Sequence, residues 1–210
     1  DVIESRGLGD VYKRQTLFAV VADTRAQARD AVEQVKTKIT PLAPILSIDA
    51  AIEQESFLEK PLTLSSGQVE NAYGAAPYQL AGELYAGGQE HFYLEGQAAI
   101  AQADENGGIQ LFVSTQHPSE IQHKVAGMLG LTYGDIQVDV RRMGGGFGGK
   151  ESQSNLTACI AALAAHKTGR PARLVYDRDD DMRVTGKRHD IKLVYNCLLY
   201  TSDAADDDVR

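Results

Sequence analysis

The run Gly144-Gly145-Gly146-Phe147-Gly148-Gly149-Lys150-Glu151 gathers the residue types in this chain best suited to hold a ligand through its backbone. Five glycines in six positions add nothing to packing, and each costs about 1 kcal/mol against Ala in regular structure. Such a run implies positive φ or a close approach of the main chain to something. It falls between a predicted strand and a predicted helix, where successive N–H groups would form an anion cradle. A merely flexible loop is the bland alternative. Gly144, Gly146 and Gly149 also satisfy the dinucleotide pattern G-x-G-x-x-G, and Gly144 with Gly149-Lys150 satisfies most of a phosphate-binding P-loop. Neither fits its surroundings. The P-loop needs a Ser or Thr hydroxyl for magnesium where this chain has Glu151. A dinucleotide site wants an acid about 20 residues on, and that window holds His166, Lys167 and Arg170.

Two further blocks crowd polar groups together. Gly87 to Glu95 (GGQEHFYLE) places Gln89, Glu90 and His91 beside paired glycines, a loop-like setting for chemistry. Taken alone, His91 reads as a packing histidine rather than a catalyst. His117 and His123 are six apart and lack the spacing of a zinc-binding helix. Asp177 to Asp190 reads by composition as a solvated loop of mixed charge. Its interleaved arginines and missing EF-hand positions disfavour calcium.

The elements that must position these blocks follow from periodicity and punctuation. A buried strand is expected at Leu17–Val21, then a helix at Arg25–Lys38 capped by Asp23 or Thr24 and ended by Pro41 and Pro44. A short helix near Asp49–Glu53 has Asp49 as its candidate cap. Strands are expected at Tyr78–Tyr85, Gln97–Gln102 and Ile109–Thr115, the last two joined through the turn signal Asn106-Gly107. Helix Pro118–Leu129, strand Ile136–Arg141, the glycine loop, helix Ser152–Lys167, strand Ala172–Tyr176 and strand Ile191–Tyr195 complete the order. Gly130 and Gly169 fall where glycines end helices. The mixture predicts an α+β (mixed α/β) fold, with 16–75 and 76–196 as its two parts.

Composition bounds the rest. The chain has 210 residues, 43% of them apolar, which excludes a mainly disordered or collagenous protein. Its formal charge of −8 argues against nucleic acid or an anionic membrane as partner. No apolar run reaches the roughly 18 residues of a membrane span. Two cysteines can make neither a disulfide framework nor a four-ligand zinc site. The ends read as foreign. Asp10 to Gln15 can be back-translated into a short DNA sequence whose reverse complement, read one base later, encodes Cys197 to Ser202. The same DNA at both ends in opposite orientation resembles a translated sequencing adapter. Residues 1–15 and 197–210 are therefore expected to be adapter-derived. That leaves Cys159 as the one cysteine of Thr16–Asn196, suited to packing in a reducing, cytoplasmic compartment.

Four blocks in order carry a resemblance: GGQEHFYLE (Gly87–Glu95), STQHPSEIQ (Ser114–Gln122), RMGGGFGGKE (Arg142–Glu151) and DRDDDMRVTGKRH (Asp177–His189). Together they resemble the molybdenum-binding large subunit of bacterial xanthine dehydrogenase, a molybdenum hydroxylase, in register over essentially all of Thr16–Asn196. The resemblance implies a metal held by a pterin dithiolene, with no protein side chain ligating it. Gln89 matches the glutamine that hydrogen-bonds a metal oxygen. Gly146, Phe147 and Gly148 match the loop positions packed against the metal–pterin group. Glu151 matches the glutamate that binds the purine, an acid that aldehyde-oxidising relatives usually lack. Without the resemblance, Glu151 reads equally well as a first-turn acid of the next helix.

The implied reaction is oxidation of hypoxanthine and xanthine to urate, by metal-bound hydroxide with hydride passing to a metal sulfide. Electrons would leave through 2Fe–2S centres and FAD on other subunits or domains of an oligomeric complex. The family's general base and substrate-binding arginine are expected beyond Asn196, so no catalytic residue is assigned and the polypeptide alone is expected to be inactive. The alternatives are an aldehyde oxidase-type hydroxylase and a non-catalytic anion- or nucleotide-binding module.

Overall fold

The computed structural model describes residues 16–199, which divide into two compact units. One comprises residues 16–38 and 90–188, the other residues 39–89 and 189–199. The expected division at 75/76 therefore falls inside the second unit. The fold is mixed α/β, as the element order predicts. The segments 1–15 and 200–210 lie outside the described residues.

The first unit is built on a four-stranded sheet. Strands β2 (Ala98–Ala103) and β3 (Ile109–Val113) form an antiparallel hairpin. Gly107 takes φ 87° at its turn, and Asp104 Oδ1 accepts the N–H groups of Asn106 and Gly108, each at 2.8 Å. Strand β4 (Ile136–Asp139) runs parallel to β3, and β5 (Ala172–Val175) antiparallel to β2, giving the order β4-β3-β2-β5. The parallel β3–β4 pair needs a crossover, which helix α4 (Pro118–Leu129) supplies. Helix α5 (Ser154–Thr168) packs beside it. Ala99, Ala101, Ile109, Leu111, Val113 and Ile136 from the strands meet Ile121, Val125 and Ala126 of α4 and Ala158, Ala161, Ala162 and Ala165 of α5. Alanines let α5 lie close against the sheet. Gly130 and Gly169 end these helices in the left-handed conformation, at φ 70° and 66°.

Three expectations for this unit are corrected. Leu17–Val21 forms no strand; it has no ladder partner among the described residues, and Leu17 and Val21 are exposed. Helix α1 (Arg25–Gln34) starts as expected, with a capping box between Thr24 and Gln27, but stops four residues before Lys38. The charged block is not a solvated loop. It contains helix α6 (Arg178–Val184), capped by Asp177 through the Asp180 N–H, and this helix turns Asp181 inward to 1% exposure.

In the second unit, β1 (Tyr78–Ala86) and β6 (Ile191–Leu199) pair antiparallel over nine positions, from Tyr78 opposite Leu199 to Ala86 opposite Ile191. Gly82 leaves room for the Tyr195 ring, whose hydroxyl would lie 2.5 Å from a β-carbon there. Helices α2 (Ile48–Glu53) and α3 (Val69–Ala75) precede β1. Ser47 caps α2, not Asp49, which instead pairs with Lys192. Among the described residues, no helix is long and apolar enough to cross a membrane.

Candidate functional site

The glycine loop joins β4 to α5, and its five glycines answer to two demands. Gly145 and Gly148 take φ 92° and 85°, open to glycine and strained for other residues. Gly144, Gly146 and Gly149 are places of close approach. A β-carbon would lie 2.6 Å from Glu95 Cβ at the first, 2.5 Å from Gln116 Oε1 at the second and 2.8 Å from both His91 and Tyr93 at the third. Phe147, between them, is also left-handed (φ 53°), a strain of about 1–3 kcal/mol for a bulky residue. It remains 74% exposed. The loop thus holds an aromatic side chain outward in a conformation that packing alone would not select.

What the loop approaches is, in part, the protein itself. Glu95 Oε2 accepts the Gly144 N–H at 2.8 Å, and Gln116 Oε1 accepts those of Gly148 and Lys150 at 3.0 and 3.2 Å. Gly149 donates to the Gly146 carbonyl at 2.7 Å, and Gln116 N–H to the Lys150 carbonyl at 2.8 Å. The Gly144, Gly148 and Lys150 N–H groups are thus served by side-chain oxygens and the Gly149 N–H by a carbonyl, so these four are not open to an anion. The P-loop pattern is excluded on different grounds. The Lys150 side chain is fully buried, donating to Ser114 Oγ at 2.7 Å and Glu95 Oε2 at 3.2 Å, with its ammonium 4.6 Å from the centre of the Tyr93 ring.

These partners explain the electrostatics. Burial pushes the Lys150 ammonium below the ordinary lysine range, against the pull of Glu95. Burial also raises the Glu95 carboxyl, but the Gly144 N–H, the Ser114 hydroxyl and Lys150 together bring it below its ordinary value. Behind them, the Tyr93 hydroxyl donates to Asp181 Oδ1 at 2.7 Å, and Gln97 N–H donates to Asp181 Oδ2 at 2.8 Å. Burial, then Asp181, pushes Tyr93 up to about 12. Gln97 Nε2 bonds both Tyr93 Oη and the Gly149 carbonyl at 3.0 Å, tying this cluster to the loop.

The residues singled out from sequence are distributed unevenly. Gly146 is buried, while Phe147, Gly148 and Glu151 are exposed along one loop. A β-carbon on Gly148 would meet nothing within 4 Å, so the space beside its main chain is clear. Helix α5 starts at Ser154 with no acid in its first turn. Glu151 is therefore not a helix-terminal acid, and its carboxylate has no partner among the described residues. Gln89 lies in the second unit, exposed after β1. Gln116 was visible only as one letter of the STQHPSEIQ block, with nothing to mark it as the glutamine whose amide enters the loop. The burial of Asp181 and Lys150 was likewise hidden, each standing in a run that reads as polar surface. His91 lies against Gly149 and stacks on Tyr93, as a packing histidine would. Cys159 is half-buried and its thiol is pushed up by burial, the setting of an inert packing cysteine. Among the described residues, no group of three or more His, Cys, Asp or Glu could hold a metal ion.

The family model for the molybdopterin cofactor-binding domain matches residues 52–199. Over 172 residues the chain is 47% identical to xanthine dehydrogenase/oxidase of Felis catus, covering 81% of this chain and 13% of that protein. Over 177 residues it is 42% identical to aldehyde oxidase 1 of Rattus norvegicus, covering 83% and 13%. The solved structure of aldehyde oxidoreductase from Desulfovibrio gigas superposes with a TM-score of 0.69 at 26% identity, over 82% of this chain and 20% of that one. The chain spans about an eighth of the length of the curated relatives it matches.

Proposed function

The chain belongs to the molybdopterin cofactor-binding domain family, and on that premise we propose that it is the part of a purine-oxidising molybdenum hydroxylase that seats the metal–pterin group and one edge of the substrate. One observation carries this reading. Within five residues the loop offers an outward, strained Phe147, clear space beside Gly148 and an unpartnered carboxylate on Glu151. The clear space fits a group too bulky to approach a loop bearing side chains.

Gly146, Phe147 and Gly148 would pack against the metal–pterin group, and Gln89 would hydrogen-bond one of its oxygens. Gln116, whose amide oxygen accepts the Gly148 and Lys150 N–H groups, would hold the loop for that group. Neither Gln89 nor Phe147 ligates the metal directly. When bound, the group supplies the two-electron oxidation of an electron-poor ring carbon. Glu151 accepts a hydrogen bond from a ring N–H and so orients the heterocycle. A simple aldehyde has no ring N–H for a carboxylate to hold, which favours hypoxanthine and xanthine, oxidised to urate, over the aldehyde alternative. The inward Lys150 and the occupied loop donors weigh against a free nucleotide- or anion-binding module.

We assign the general base to no residue of 16–196. The 2Fe–2S and FAD centres are placed on other subunits or domains of an oligomeric, cytoplasmic assembly. The test is Gly148→Val in the full-length enzyme that carries this segment. Molybdenum per chain and xanthine turnover should both collapse; wild-type molybdenum content would sink the assignment.

A further inference from the structure

We infer that Glu95 and the buried Lys150 form a latch that sets the shape of the glycine loop, making them positioning residues for the metal–pterin group without touching it. This rests on the cofactor site proposed above. Glu95 Oε2 alone takes three donors: the Gly144 N–H at 2.8 Å, the Ser114 hydroxyl at 2.7 Å and the Lys150 ammonium at 3.2 Å. Gly144 opens the glycine run and Lys150 directly follows its last glycine, so one carboxylate oxygen gathers both ends of the loop. Return bonds lock the same register, from Glu95 N–H to the Gly144 carbonyl at 3.1 Å and from Gln116 N–H to the Lys150 carbonyl at 2.8 Å. Ser114 makes the latch continuous, accepting from Lys150 at 2.7 Å while donating to Glu95. The Tyr93 ring covers the ammonium at 4.6 Å, and Lys150 has no exposed side-chain surface.

A lysine turned fully inward beneath a ligand loop contributes through the loop's position. An ammonium that only needed solubilising would face water, and one that bound a ligand anion would face the ligand. Held at its ends, the loop can sustain left-handed Phe147, a conformation that persists only where its surroundings over-determine it. Groups that orient the holders of a metal site typically change metal affinity by about 10–100-fold when removed.

The experiment uses the full-length enzyme with Glu95→Gln, Lys150→Met and the double variant. Glu95→Gln keeps an acceptor for the Gly144 N–H and removes the charge, whereas Lys150→Met alone strands a partly buried carboxylate. The double variant removes both charges, so it separates loop position from the penalty of an unpaired ion. Thermal unfolding of the cofactor-free form, molybdenum retained per chain and the Mo(V) paramagnetic resonance spectrum are measured for each. The double variant should unfold within a few degrees of wild type, yet retain about tenfold less molybdenum and give a shifted Mo(V) spectrum. Wild-type retention with a wild-type spectrum overturns the latch, and so does loss of the fold in the cofactor-free double variant. Gly148→Val, assayed alongside, keeps the two readings apart. Metal lost there but retained in the double variant defeats only the latch, while metal retained in Gly148→Val defeats the cofactor site itself.

Discussion

The Tyr93 hydroxyl lies 2.7 Å from Asp181 Oδ1, joining residues 88 positions apart in a buried contact behind the glycine loop. Asp181 reaches it from α6, and Tyr93 in turn lies against Gly149. Tyr93→Phe should destabilise the unit by about 1.5–3 kcal/mol, the value of a hydrogen bond to a charged group, seen as a lower denaturation midpoint. Asp181→Ala should do more, since it also strands the Gln97 N–H.

The same contact has a pH signature. Tyr93 is raised from 10.0 to about 12. Between these values the unfolded chain has lost the phenolic proton and the folded chain keeps it, so stability is full below pH 10 and declines as pH rises through about 12. Tyr176, also raised by burial, titrates in the same sense. The difference between wild type and Tyr93→Phe in alkaline denaturation isolates Tyr93, and the variant should show the shallower decline.

Two adjacent glycines should fail for different reasons. In Gly149→Ala the new methyl lies 2.8 Å from His91 and Tyr93, an overpacking cost of about 1–3 kcal/mol. In Gly148→Ala it meets nothing, and the cost is that of left-handed backbone alone, at φ 85°. Thermal unfolding should drop in both. Gly149→Ala should also perturb the Tyr93 environment, read as near-ultraviolet circular dichroism, and Gly148→Ala should leave it unchanged.

Gln116→Ala leaves the Gly148 and Lys150 N–H groups without their shared acceptor. Molybdenum retained by the full-length enzyme should fall about tenfold or more. Gln89→Ala should also lower retained molybdenum, through the hydrogen bond proposed for it; wild-type retention there would contradict that role.

Glu151→Ala should leave molybdenum content intact and lower kcat/KM for xanthine by at least about a hundredfold. Steady-state kinetics beside metal analysis checks this. Parallel loss of metal and turnover would contradict a substrate role for Glu151.

Much of the architecture was legible because it is written locally. The hairpin at Asn106-Gly107, Pro118 at the start of α4 and the helix-ending Gly130 and Gly169 each depend on a few neighbouring residues. The reading failed at Leu17–Val21, where an apolar run found no ladder partner among the described residues to make it a strand. It also failed at α6, where a run of mixed charge masked one inward carboxylate.

By itself the sequence determined where the loop lies and that its glycines answer to something other than packing, because a backbone demand must be met by residue type at the position itself. Only the tertiary structure decided what they answer to. Lys150 faces inward to Glu95, 55 positions away, and Gln116 reaches the loop from 32 positions before Gly148. Such pairings depend on how strands and helices stack. No local propensity distinguishes a glutamine or lysine that will be buried from one left in water.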